Sequence, residues 1–199
     1  MDEALVLGIG NVLWADEGFG VRCVEAFHAQ WELPVGSTWL DGGTQGLYLL
    51  PYLQAARRLI IFDAIDFALS PGTLKVMHGD AVPRYLGVRK TSLHQTGFQE
   101  VLALAALTGT LPDPIVLIGV QPYELEDYGG SLRPGMRARI PEAIEIAVGL
   151  LREWGLVPQQ RAVPLGEDSP LSLARYETER PSADSACRIG DARFLPRAE

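Results

Sequence analysis

The acidic residues of this chain stand directly behind its most apolar runs. "GIGNVLWADEGFG" (8–20) carries Asp16 and Glu17, "STWLDGG" (37–43) closes on Asp41, Gly42 and Gly43, and "RLIIFDAID" (58–66) closes on Asp63 and Asp66. In an open parallel sheet, the residues just beyond the strands line the ligand crevice. Carboxylates converging there suit a cation and repel an anion. The complementary ligand type is nitrogen, and the chain has three histidines. His28 falls inside a helical pattern and reads as an ordinary, partly exposed side chain, while His78 ends a candidate strand. His94, in "SLHQTG" (92–97), stands just before Thr96, whose T-x-x-Q spacing to Gln99 fits a capping box. The spacing predicts an imidazole at a helix N-terminus, where the dipole favours the neutral, metal-binding ring. Alone, His94 would read as a polar loop residue; with Glu17 and Asp63 on neighbouring strand ends, a metal site is the better account.

The glycines of the first stretch invite a second reading, a dinucleotide site. That fingerprint needs G-x-G-x-x-G, and here Gly8 and Gly10 are followed by Leu13 at the third position. Asp16 and Glu17 would then repel the pyrophosphate. Asp16 has a bland reading too, as a carboxylate capping the first helix, and Gly42-Gly43 fits a tight strand-to-helix turn.

Bringing these groups together requires strands that end side by side. The runs at 4–10, 37–43, 58–66 and 114–122 read as strands, as does "TLKVMH" (73–78). Val21, Val24, Phe27 and Trp31 share one face of a first helix. Ile144, Ala147, Val148, Leu151 and Trp154 share one face of a last helix, with Pro141 suited to its first turn. A further helix is expected near 96–107. The alternation predicts an α/β fold, a three-layer domain with a mostly parallel central sheet flanked by helices. That domain is expected over residues 1–158. Residues 159–199, with Pro164, Pro170, Pro181 and Pro196 among scattered charges, form a C-terminal appendage that is either a flexible tail or a strap.

Composition narrows the partners. The 199 residues carry 17 basic and 25 acidic side chains, a formal net charge of −8, which argues against nucleic acid. No apolar stretch is long enough for a bilayer span and no basic n-region opens the chain, so a cytoplasmic protein with no membrane partner is expected. Cys23 and Cys187 are far apart and form no C-x-x-C pair; Cys23 reads as a core residue.

Five separated stretches, "GIGNVLWADEGFG", "DGGTQG" (41–46), "FDAID" (62–66), "SLHQTG" and "GVQPYELEDYGGSL" (119–132), together resemble the hydrogenase maturation endopeptidases. Those enzymes trim the C-terminus of a [NiFe]-hydrogenase large subunit. The resemblance covers about residues 4–155. It implies that Glu17, Asp63 and His94 recognise nickel, and that Asp41 matches an aspartate of functional, less settled role, here a candidate catalytic group. Asp16 matches the acid beside the nickel-binding glutamate. The partner implied is the precursor of the large subunit, and the nickel would be carried by that substrate rather than permanently bound. Hydrolysis would follow nickel insertion. The metal could polarise the carbonyl or activate water, or could only position the chain while Asp41 handles the proton. No Ser-His-Asp or Cys-His pairing suggests a covalent acyl-enzyme. Two other classes share the features: a non-catalytic nickel-delivery or chaperone module, and a small-molecule enzyme such as a nucleoside phosphorylase.

Overall fold

The computed structural model describes residues 2–83, 93–166 and 172–179. Its main sheet is built from β1 (Ala4–Ile9), β3 (Ser37–Gly43), β4 (Leu59–Ala64), β5 (Leu74–His78) and β6 (Ile115–Val120) in the order β3-β1-β4-β6-β5. The helices are α1 (Phe19–Gln30), α2 (Leu50–Ala55), α3 (Leu93–Leu107), α4 (Pro134–Arg137), α5 (Ile140–Glu153) and α6 (Leu173–Glu179). A two-residue strand β2 (Trp31–Glu32) pairs antiparallel with β7 (Gln159–Gln160).

β1, β4 and β6 are buried at every position, as central parallel strands covered on both faces must be. Their alternate residues feed two separate cores. Val6, Ile60, Phe62, Val116 and Ile118 pack with Phe19, Val24 and Phe27 of α1 and Ile144, Ala147 and Leu151 of α5. Leu5, Leu7, Leu59, Ile61 and Leu117 pack with Leu53 of α2 and Phe98, Val101 and Leu102 of α3. The result is the expected three-layer arrangement. Among the described residues no helix is long and apolar enough to cross a membrane.

Two details go beyond what the local pattern gave. β5 runs antiparallel to β6, because only residues 65–73 link it to β4 and a parallel crossover needs a dozen residues or more. Trp31 is not on α1; the helix stops at Gln30, and Trp31 opens β2, where the Arg152 guanidinium lies 5.7 Å above its ring. The segment after β7 closes the end of α1. Arg161 and Leu165 donate backbone N–H groups to the carbonyls of Gln30 (2.8 Å) and Ala29 (2.9 Å), and the Arg161 Nε reaches that of His28 (3.3 Å). Three carbonyls that a helix end leaves without partners are satisfied this way. Further on, the Tyr176 ring lies 5.9 Å from the Arg22 guanidinium carbon.

Close packing of α1 on the sheet rests on two glycines. A Cβ on Gly20 would collide with the carbonyl oxygens of Ile9 and Phe62, and one on Gly8 with that of Gly20. The close-approach glycine that a dinucleotide fold places at the third fingerprint position is here Gly20, displaced by an inserted loop. Gly20→Ala is expected to lower stability by about 2 kcal/mol or more, since backbone cannot yield as a side-chain tip can. Gly149→Ala, on α5 with open space around its Cα, is expected to raise stability by roughly 0.5–1 kcal/mol. Urea denaturation of the two variants checks both signs.

Candidate active site

The inserted loop, residues 10–18, doubles back onto the end of β1. Gly10 has φ +142°, and a Cβ there would collide with the Glu17 carbonyl oxygen. That oxygen accepts the Asn11 N–H at 3.2 Å, while Glu17 N–H donates to Trp14 O at 2.9 Å. Asn11 Oδ1 accepts the Leu13 N–H, tightening the turn. Glu17 thus sits over the β1 terminus with its residue 9% exposed. The 3-10 turn that carries it, Ala15–Gly18, packs against β4, whose penultimate residue is Asp63, 1% exposed. The fold therefore brings Glu17 and Asp63 to the carboxyl ends of adjacent strands.

Asp16 has a different task from the helix cap its position suggests. Fully buried, it accepts three backbone N–H groups from the loop after β6: Tyr123 (2.8 Å) and Glu124 (2.9 Å) on Oδ2, and Arg133 (2.8 Å) on Oδ1. Its own N–H returns to Glu124 O at 3.2 Å. One carboxylate thereby ties the loop bearing Glu17 to the "GVQPYELEDYGGSL" stretch. Gln121 of that stretch, to which sequence reasoning gave no role, does similar work. Its Oε1 accepts the N–H groups of Phe67 (2.7 Å) and Leu69 (3.1 Å), and its Nε2 donates to Asp66 Oδ1 (3.1 Å). Asp66 also accepts the Ala68 N–H, so it serves as a turn residue beyond β4.

Asp41 lies at the end of β3, where the register slips: Gly8 faces Asp41 but Ile9 faces Gly43. Gly42 is the extra residue, pressed onto β1, since a Cβ there would come within 2.8 Å of Leu7 Cδ1 and 2.9 Å of Ile9 Cδ1. Gly42-Gly43 thus forms a bulge and also opens the expected tight turn toward the following helical segment, the Gln45 N–H donating to Gly42 O at 3.0 Å with Gly43 at φ +46°. Asp41 Oδ1 accepts the Gly43 N–H at 2.9 Å. Desolvation lifts the Asp41 carboxyl above its ordinary range, against the opposing pull of that N–H and of the Arg22 charge. Arg22, 3% exposed on α1 and paired with Glu25 at 2.9 Å, was not singled out by the sequence pattern.

His94 belongs to α3, and Thr96 lies within that helix instead of capping it. The first turn of α3 still carries the histidine. Its position relative to β3 is fixed by a glycine contact: a Cβ on Gly97 would stand 3.5 Å from Gly46 Cα, so "SLHQTG" and "DGGTQG" meet backbone to backbone. The His94 side chain falls outside the described residues; among those described, no three His, Cys, Asp or Glu side chains form a metal-holding group. His28 is stacked on Trp39 with ring centroids 4.0 Å apart, and burial, then the Arg161 charge, lower its pKa. His78 ends β5.

Residues 21–150 match the hydrogenase maturation protease family. The hydrogenase expression/formation protein HoxM of Cupriavidus necator is 56% identical over 198 residues, covering 97% of this chain and 98% of its own. The hydrogenase 2 maturation protease of Escherichia coli is 42% identical over 153 residues, 76% of this chain and 92% of its own. In three dimensions the hydrogenase maturating endopeptidase HybD from E. coli superposes with a TM-score of 0.76 at 39% identity, covering 80% of this chain and 98% of its own. The chain belongs to the hydrogenase maturation protease family. It is a hydrolase of peptide bonds, an endopeptidase, and the delivery-module and phosphorylase alternatives fall away.

Two outcomes test the geometry. Asp16→Ala should destabilise the protein by about 2–4 kcal/mol, because three N–H groups lose a charged acceptor, and Asp16→Asn should cost less; urea unfolding measures both. Arg22→Met should raise the pH at which Asp41 titrates, read from its carboxyl carbon by NMR. An unchanged midpoint would show that the Arg22 charge does not reach Asp41.

Proposed function

We propose that the chain removes the C-terminal extension of a [NiFe]-hydrogenase large-subunit precursor after nickel insertion. Glu17, Asp63 and His94 take up nickel that the precursor already holds, and Asp41 handles the proton. The observation that carries this reading is the pair of buried carboxylates on adjacent strand ends, in a family of hydrogenase maturation proteases. An oxygen, oxygen, nitrogen ligand set leaves coordination positions for the substrate's own ligands. Asp41, desolvated yet able to reach solvent, is suited to exchanging a proton near the scissile bond. The cytoplasmic setting stays part of this proposal.

Nickel-free and nickel-loaded precursors have identical sequences, so peptide contacts alone cannot separate them. Coordination by the trio adds affinity for one form only, and each ~1.4 kcal/mol is a factor of ten in discrimination. Purified protein is expected to cut nickel-loaded precursor and leave nickel-free precursor essentially uncut, as followed by mass spectrometry of the large subunit. Glu17→Gln, Asp63→Asn and His94→Ala should each impair the cut, and conservative changes at His28 and His78 should not. Equal cleavage of both precursor forms would overturn the nickel dependence. Chelation of the isolated protease, followed by removal of the chelator, should leave activity intact; a lasting loss would mean a resident metal.

A further inference from the structure

β3 is one of the two outer strands of the five-stranded sheet and carries Asp41 near its end. Which of its main-chain groups point outward follows from the ladder. Leu5 donates its N–H to Arg58 O at 2.9 Å, on the β4 side, so by alternation Val6 and Gly8 turn theirs toward β3; Gly10 N–H, which reaches Gly43 O at 3.0 Å, agrees. In a parallel ladder, a residue facing its neighbour bonds the two residues flanking its partner. The partners are Trp39 for Val6 and Asp41 for Gly8. Thr38, Leu40 and Gly42 therefore bond β1, and Trp39 and Asp41 present their N–H and C=O groups on the open side.

Upstream of Asp41 and the bulge at its end, β3 carries no charged residue or proline to blunt the edge. Natural sheets protect such edges with lysine, proline or a covering element. β3 reads Ser-Thr-Trp-Leu-Asp-Gly-Gly, Trp39 is 37% exposed with one ring face on His28, and no described strand pairs beyond it. The strand also runs toward the candidate site and ends there. We propose that an extended segment of the substrate polypeptide adds to the sheet along β3, pairing with the main-chain groups of Trp39 and Asp41 and so delivering the adjoining peptide bond to the strand ends. Strand addition recognises backbone, the one feature every peptide-bond hydrolase meets in its substrate, and it holds the chain extended with its carbonyls accessible. The inference rests on the peptidase reading above. It adds a binding element that metal coordination does not supply.

Proline at position 39 removes the outward N–H at a place where an edge strand tolerates it. Trp39→Pro is expected to raise KM for nickel-loaded precursor by about tenfold with kcat nearly unchanged, the loss of roughly one hydrogen bond, while Trp39→Phe stays near wild type. A folded proline variant with unaltered KM overturns the proposal. Should the proline variant fail to fold, amide exchange of the wild-type protein decides. Pulse labelling with saturating nickel-loaded precursor is expected to slow exchange at Trp39 and Asp41 and to leave Thr38 and Leu40 unchanged. Unchanged exchange at Trp39 and Asp41 overturns it. So does protection already present without precursor, which would assign the edge to a second copy if dilution removes it and to the chain's own C-terminal residues if not. A wild-type protein that never cuts the precursor would instead refute the processing reading.

Discussion

The geometry of the site depends on one buried carboxylate. Asp16 accepts three main-chain N–H groups from residues more than a hundred positions away in the chain, and returns its own N–H to the same loop. Neither the 10–18 loop nor the stretch after β6 is regular enough to satisfy its own backbone, and unsatisfied buried N–H groups are costly. A carboxylate offers about four acceptor sites on two oxygens, against two on a serine hydroxyl or an asparagine amide oxygen, so it can take all three donors. Glu17, the next residue, inherits its position from that anchor and from the Gly10 contact beneath it. The adjacent acids that look redundant in sequence thus divide between scaffold and candidate site.

Glycines do the rest of the positioning by letting backbones touch. Gly8 and Gly20 bring α1 down on β1 and β4, Gly42 presses a bulge onto β1, and Gly46 meets Gly97 so that the start of α3 lies against the loop after β3. The first of these contacts is the close helix–strand approach used in dinucleotide folds. What differs is the loop between: here it folds carboxylates toward the strand ends in place of a phosphate-binding helix terminus. Fold and glycine usage are shared with nucleotide binders, and chemistry is set by the inserted loop.

Much of this was legible in the sequence, because apolar runs and turn residues report locally. β1, β3, β4 and β6 begin and end within about two residues of the pattern. The carboxylate-bearing strand ends followed from the same pattern. What escaped was set by distant partners. The role of Asp16 depends on a loop that only the fold brings near it. The direction of β5 depends on which strand it meets, and the cap expected at Thr96 lost to a helix that begins earlier, at Leu93. Arg22 was invisible because a single arginine in an amphipathic helix reads as surface; here it is buried between Glu25 and Tyr176. Gln121 sat inside a recognised stretch, yet its three hydrogen bonds join elements no local rule connects.

Environment, not residue type, sorts the acids of this site into roles. Asp16 is fully buried and accepts three main-chain donors, which makes it a structural anchor. Glu17 and Asp63 are buried at the ends of the adjacent strands β1 and β4. Asp41 is exposed, accepts one main-chain N–H group from Gly43, and has its carboxyl lifted above the ordinary range. A carboxyl lifted above its ordinary range is a stronger base once ionised and gives up its proton nearer to neutral pH. If substrate adds to β3 as proposed, its backbone runs toward Asp41, where the regular ladder with β1 ends in the bulge.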